Sequence, residues 1–122
     1  MITRELPRNT WAAYLEQLTI ELRNVPVTIE VTSPQEEDAS TGREATHMAL
    51  QALAYDQRDD VFEVAAAHGG PHLPTVLRHL VDHPARIEVD GPVAITPRYI
   101  AVLGEAGVRT VVRISPEGEF SG

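Results

Sequence analysis

Hydrophobic residues recur at helical spacing near the N-terminus and at alternate positions through much of the rest of the chain. In residues 7–24, Trp11, Leu15, Leu18 and Leu22 fall on one side of a 3.6-residue repeat, while charged residues occupy the other sides. This spacing predicts one amphipathic helix that packs on a core through its apolar face.

The flanking residues are typical of helix ends. Pro7 suits a first helical turn, Asn9 or Thr10 can cap the N-terminus, and Pro26 prevents the helix from continuing. Trp11 is predicted to anchor the helix in the core, because a large aromatic side chain contributes most when it is buried.

From residue 25 onwards the hydrophobic repeat shortens to two, the period of a half-buried strand. Polar turn residues, DQRDD at 56–60 and GEAG at 104–107, separate such segments and favour hairpins. The acidic stretch 33–44 has no periodicity and is predicted to be a loop. The predicted strands are 25–32, 46–55, 61–67, 86–90, 93–95, 99–103 and 108–114.

These elements predict an α+β fold in which the N-terminal helix packs on a bent, mainly antiparallel sheet or small barrel of about six or seven strands. A chain of 122 residues matches one domain with one core, so residues 1–122 are expected to form a single globular domain. The order of elements is similar to that of the Sm-like fold, which is kept as a fold alternative.

The segment HLPTVLRHLVDHP, residues 72–84, holds three of the five histidines. Apolar side chains at Leu73, Val76, Leu77, Leu80 and Val81 follow helical spacing, so a short helix is the first interpretation. A strand through 76–81 is the alternative, because so short an apolar run fits both periods.

His79 and His83 share one face in either conformation. In a helix they could bind one zinc, copper or nickel ion, with His72 or Asp82 completing the set of ligands. In a strand they would lie roughly 13 Å apart, too far for one ion. Leu80 follows His79 where a metalloprotease helix has glutamate. The histidines are therefore predicted to be structural or solvent-exposed, and a His72, His79 and His83 metal site is kept as the alternative.

No other stretch carries a catalytic motif. Asp82 beside His83 is more typical of a residue pair that ends an element before proline than of an acid–base pair. None of the four serines lies in G-x-S-x-G, and no phosphate-binding glycine loop occurs. Asp56, Asp59 and Asp60 favour a polar turn over a calcium loop. No catalytic residue and no cofactor are predicted.

Composition excludes further chemistry. The chain has no cysteine and no lysine, so thiolate nucleophiles, Schiff bases and the Walker lysine are absent. The formal net charge of −8 disfavours nucleic acid and anionic membranes as partners. No apolar run is long enough for a membrane span and the N-terminus has no secretory signal pattern, so a cytoplasmic protein is expected.

Three stretches together carry a family resemblance: TRELP with Trp11, ALAYDQRDDVFEV at 52–64, and HLVDHPARIEVD at 79–90. The chain resembles a small family of uncharacterised bacterial proteins, a domain of unknown function, over nearly its whole length. The resemblance implies a stand-alone domain and brings no catalytic residues.

The expected function is accordingly a non-enzymatic interaction or self-association module. A small bent sheet has edge strands whose backbone groups are unpaired, and a homodimer would satisfy them. The alternative function is a metal-binding domain or metal-dependent hydrolase that uses the segment with His72, His79 and His83.

Overall fold

The structure, a computed structural model, describes residues 3–33, 42–68, 75–91 and 96–114. Within these ranges it has one α-helix and two short 3₁₀ turns, at Arg8–Thr10 and Glu105–Gly107. The strands are β1 (Thr3–Glu5), β2 (Pro26–Thr32), β3 (Gly42–Asp56), β4 (Val61–His68), β5 (Thr75–Asp82), β6 (Arg86–Asp90), β7 (Tyr99–Leu103) and β8 (Arg109–Ile114), and α1 spans Trp11–Leu22.

The eight described strands form one antiparallel sheet in the order β1-β6-β7-β8-β2-β3-β4-β5. The sheet is not closed into a barrel, so β1 and β5 lie at its two ends. It is nevertheless bent, because inward side chains of β5 contact β8 and the β7–β8 connection: His79 bonds to Thr110, and Val81 packs against Gly104. The predicted α+β class is confirmed, and the predicted bent sheet, not the barrel, is the form observed.

Helix α1 buries the face that the sequence predicts, and Trp11 is only 1% exposed, as expected of its anchor. The indole Nε1 donates to the carbonyl of Leu6 at 3.0 Å. Thr10 stands at the N-cap, but its hydroxyl bonds to the carbonyl of Pro7 and does not cap the helix. Asn24 takes a left-handed φ of 71° just after the helix, a conformation that ends many helices. No helix in the described part of the chain is long and apolar enough to cross a membrane.

The position of α1 follows from the length of β3. Its first part pairs with β2, but its last residues extend beyond the start of β2. There the chain around α1 replaces a neighbouring strand: Asn24 N–H donates to the Leu50 carbonyl at 2.7 Å, and Leu50 N–H donates to the Val25 carbonyl at 2.9 Å. Further along, the buried Thr19 hydroxyl donates to the Leu53 carbonyl at 2.9 Å and accepts from the Leu53 N–H at 2.8 Å. The helix thus covers the edge of β3 that β2 leaves open.

One hydrophobic core joins the helix to the inner face of the sheet. The late strands direct alternate residues into this core, where Ile87, Val89, Ile100, Val102 and Val112 are all fully buried. The alternation of burial is incomplete, because Ala101 of β7 and Val111 of β8 are buried as well. The other core residues are Leu6, Trp11, Leu15, Leu18, Leu22, Val27, Ile29, Met48, Leu50, Leu53, Phe62, Val64, Ala66 and Val81.

Two expectations about the strands were wrong. The described strands number eight, because the short β1 pairs with β6 and residues 75–82 form β5. The predicted loop 33–44 also ends earlier than expected, since β3 begins at Gly42. The predicted strand 93–95 lies among residues outside the described ranges.

The helix preferred for residues 73–81 is the main correction, because residues 75–82 form a strand, the alternative that the sequence left open. Leu77 and Val81 of β5 face inward while Val76 and Leu80 face outward, so apolar residues on both faces of a strand imitated a helical stripe. Eight consecutive residues of β5 pair with β4, from Val61↔Asp82 to His68↔Thr75. That ladder satisfies the backbone of β5, and the tertiary pairing overrides the local pattern.

Candidate functional site

The two described histidines of the 72–84 segment lie in different surroundings. His79 is half-buried on the inner face of β5, where its Nε2 lies 3.1 Å from the Thr110 hydroxyl. His83 follows β5 on the surface, and its Nδ1 lies 3.1 Å from the Asp60 carboxylate. The β5 strand therefore directs the two imidazoles to different partners.

Asp60 and His83 are also tied through their backbones. The His83 N–H donates to the Asp60 carbonyl at 2.7 Å. Both residues take left-handed backbone conformations, with φ of 57° at Asp60 and 51° at His83, which non-glycine residues seldom adopt. Together these contacts close the end of the β4–β5 pair at which the chain turns towards β6.

The other oxygen of Asp60 receives the Tyr55 hydroxyl at 2.5 Å and Arg8 Nη1 at 3.4 Å. Arg8 also donates to the Pro84 carbonyl at 3.0 Å, and its guanidinium carbon lies 4.3 Å from the centre of the Trp11 ring. The Trp11 and Tyr55 rings meet edge to face at 5.0 Å. We call these residues, Arg8, Trp11, Tyr55, Asp60 and His83, the Asp60 cluster.

Hydrogen bonds set the titration of this cluster. The Tyr55 hydroxyl, and after it the His83 imidazole, lower the pKa of Asp60. The bond to Asp60, aided by the charge of Glu105, raises the pKa of His83. The same carboxylate raises the pKa of Tyr55, because ionised Tyr55 could no longer donate to it. The arrangement favours a negative Asp60 beside a protonated His83.

The cluster joins three parts of the chain that are far apart in sequence. Arg8 and Trp11 come from the N-terminus, Tyr55 and Asp60 from the β3–β4 hairpin, and His83 from the end of β5. These are the three regions that carry the family resemblance. Each oxygen of Asp60 is engaged by a neighbouring side chain, an arrangement that suits a structural clasp better than a carboxylate that must exchange protons with a substrate.

The sequence points to His83 as an alternative metal ligand and, beside Asp82, as part of a pair that ends an element, and it gives no sign of a link to Asp60. Asp82 is its neighbour along the chain, yet Asp60, 23 positions earlier, is its hydrogen-bond partner. The DQRDD turn is confirmed as a polar turn, since Asp56 accepts the backbone N–H groups of Arg58 and Asp59. Nothing in the sequence indicates that Asp60, the last residue of this turn, bonds to His83, because only the register between β4 and β5 brings the two together.

The metal alternative stays a prediction. His79 and His83 are on a strand and the residue after it, and within the described ranges no three histidine or acidic side chains are close enough together to hold a metal ion. His72, the third proposed ligand, lies outside the described residues.

A second surface of interest is the outer side of β5, where Val76, Arg78, Leu80 and Asp82 lie. We call these four residues the β5 surface. Val76 is 58% and Leu80 52% exposed, while Arg78 Nε donates to Glu63 of the neighbouring β4 at 2.7 Å. A groove of about 210 Å³ opens along the same strand, between residues 79–82 and the β7–β8 connection.

Another groove, of about 420 Å³, lies between α1 and the last residues of β3. Ile20 of α1, 67% exposed, forms one of its walls and Tyr55 lies at its end. Glu16 and Arg23 flank it on the helix. Its lining mixes polar and charged side chains with the apolar residues Ala12, Ala52, Leu53 and Ala54.

A family model described as a family of unknown function, DUF5335, matches residues 2–119 of this chain. The chain belongs to DUF5335. Its sequence is 31% identical over 119 residues to an uncharacterised protein of Aquifex aeolicus, and the match covers 95% of each chain. No solved structure matches it significantly.

Family membership confirms the resemblance to an uncharacterised family over nearly the whole chain, and it transfers no activity, because DUF5335 is itself of unknown function. In this DUF5335 protein the Asp60 cluster and the β5 surface are the features that bear on function.

The Asp60 cluster makes the stability of this DUF5335 protein depend on pH in a predictable direction. Since the pKa of His83 is raised on folding, its stabilisation is complete below its ordinary value of 6.5 and is lost as pH rises through the folded value. Asp60 has the opposite pH dependence, because its pKa is lowered on folding. Its stabilisation is complete above the ordinary value of 3.8 and is lost as the pH falls through the folded value. We expect the urea concentration at the unfolding midpoint to decrease as the pH is raised from mildly acidic to mildly alkaline.

The matched control is His83→Asn, because asparagine tolerates the left-handed backbone but does not titrate. The variant should show a smaller fall of the urea midpoint over the same pH range, and the other histidines cancel in the comparison. Equal falls in both proteins would show that the His83–Asp60 bond contributes nothing measurable.

Proposed function

We propose that this protein is a non-enzymatic module that self-associates through the edge of β5. The observation that carries the proposal is the position of the exposed apolar residues. Among the described residues three large hydrophobic side chains are strongly exposed, and two of them, Val76 and Leu80, lie on β5 at the end of the sheet.

An end strand that exposes apolar side chains favours association with another strand. Its outward backbone groups can pair with an added strand, and burying Val76 and Leu80 would add hydrophobic stabilisation. The opposite end of the sheet differs, because β1 has only three residues and none of them is large and apolar. This contrast supports β5 as the edge used for association.

The absence of an enzymatic role is part of the same proposal. The composition has neither cysteine nor lysine, and the Asp60 cluster engages its carboxylate with side chains of the protein itself. The groove beside β5 is lined by His79 and Thr110, and the imidazole Nε2 lies 3.1 Å from the Thr110 hydroxyl. Thr110 is only 1% exposed, so this contact joins β5 to β8 and presents no accessible nucleophile. An interaction module needs none of these groups.

Light scattering after gel filtration tests the proposal. We expect a mass near twice 13.4 kDa for the wild-type protein at high concentration, falling towards 13.4 kDa on dilution. Leu80→Lys should remain monomeric at every concentration, because a charged amine replaces the apolar group at the centre of the β5 surface.

Ile20→Lys is the matched control, since Ile20 is at least as exposed as Leu80 but lies on α1. It should keep the wild-type mass. A wild-type monomer at all concentrations would overturn the proposal, as would a Leu80→Lys dimer. Loss of the dimer in Ile20→Lys alone would move the interface to the groove beside α1.

A further inference from the structure

We infer that the partner of β5 is the β5 of a second copy, paired antiparallel about a two-fold axis at Leu80, so that Arg78 of each copy faces Asp82 of the other. This inference rests on the proposed function and adds the register and the charged contacts of the interface.

The register follows from charge and side-chain direction. A two-fold axis normal to the sheet places outward side chains of one copy opposite outward side chains of the other. The axis must therefore run midway between one residue and the same residue of the second copy, and each register is named by that residue. An axis at Arg78 would place two guanidinium groups directly opposite each other, which is destabilising. An axis at His79 would place Arg78 opposite Leu80, so that Arg78 would have no opposite charge directly across the interface.

An axis at Leu80 avoids both faults. It places Leu80 opposite Leu80 of the second copy, and it forms two Arg78–Asp82 contacts, one on either side. Cross-strand pairs of opposite charge and pairs of apolar side chains are both favourable. Of these three registers it is the one in which every outward residue of 78–82 meets a compatible partner. Val76 then lies outside the paired residues, since its opposite position is beyond the end of β5, so Leu80 makes the apolar contact at the axis.

Arg78 can make this contact without losing its present one. Its Nε donates to Glu63 within the same chain, and the guanidinium has further N–H donors beyond that bond. Its side chain is 63% exposed, and Asp82 is exposed as well, so both charges are accessible. The bond to Glu63 also holds Arg78 on the outer face of β5, which lowers the entropy that the contact would cost.

A charge exchange tests the register. Arg78→Glu alone would place a second carboxylate opposite Asp82, and Asp82→Arg alone would place two guanidinium groups opposite each other. We expect each single variant to dimerise roughly tenfold or more weakly than wild type. An equal mixture of the two variants should form a heterodimer, because each of its two contacts then joins opposite charges.

Arg78→Glu also sets two acids side by side at Glu63, so the same variants are made in a Glu63→Gln background, and circular dichroism checks their folding. The dimers are followed by light scattering, with one variant fused to a larger carrier protein so that heterodimers have a distinct mass.

Recovery of dimer only in the mixture supports the inference. If wild type dimerises and Leu80→Lys is monomeric, but the charge variants dimerise like wild type, the register is wrong while the proposed function stands. If wild type is monomeric throughout, both are wrong.

Discussion

Trp11→Ala is expected to lower the free energy of unfolding by about 3–5 kcal/mol, the largest effect we foresee for a single side chain. Trp11 is the largest of the fully buried side chains and lies in the core between the N-terminal segment and the sheet. Its loss leaves a large cavity. It also removes the bond to the Leu6 carbonyl, the edge contact to Tyr55 and the ring beneath Arg8.

Urea unfolding followed by far-ultraviolet circular dichroism measures this change. Trp11→Phe is the control, because it retains an aromatic ring but cannot donate to Leu6, and its loss should be clearly smaller. Trp11 is also the only tryptophan, so its fluorescence cannot serve as a common probe. A loss below about 1 kcal/mol in Trp11→Ala would mean that the helix is not anchored by this residue.

Thr19→Val is expected to destabilise the fold by about 2–4 kcal/mol despite its nearly unchanged shape. The buried Thr19 hydroxyl accepts the Leu53 N–H, and its single proton is shared between the carbonyls of Leu53 and Leu15. Valine would leave both Leu53 groups without this partner at an edge of β3 that the helix covers. An unsatisfied buried polar group costs about 1–3 kcal/mol.

Thr19→Ser keeps the hydroxyl and should retain most of the stability, losing only the contribution of one methyl group. Chemical denaturation of the three proteins gives the comparison, and amide exchange at Leu53 should become faster in the valine variant alone. Equal stabilities for the valine and serine variants would show that the hydroxyl does not connect α1 to β3.

Most of the fold could be predicted from periodicity. The helix with Trp11, the hairpin around DQRDD and the inward residues of β6, β7 and β8 follow from a repeat of 3.6 or 2 that one buried face imposes. Prediction was wrong for residues 75–82, because Val76 and Leu80 are apolar on the outer face and break the alternation. Val76 and Leu80 also lie on the surface proposed for self-association. The residues that break the alternation of a half-buried strand are thus the ones that the proposed function uses.

The candidate site was less predictable than the fold. His83 could be singled out as a histidine beside an aspartate, but its partner Asp60 lies 23 residues away and Arg8 lies 52 residues from Asp60. Such contacts depend on strand register and on where the turns direct the chain, and neither is encoded by local spacing. The Thr19 bond to Leu53, 34 residues away, is hidden for the same reason.

The sequence by itself determined the class of fold, the apolar faces of the helix and most strands, and the absence of thiol and lysine amine chemistry, because these depend on residue type and local repeat alone. Only the tertiary structure decided that residues 75–82 form an end strand, that Asp60 binds His83, and that Val76 and Leu80 are exposed. Strand pairing is a property of residues distant in the chain, so its consequences appear only when the sheet is assembled.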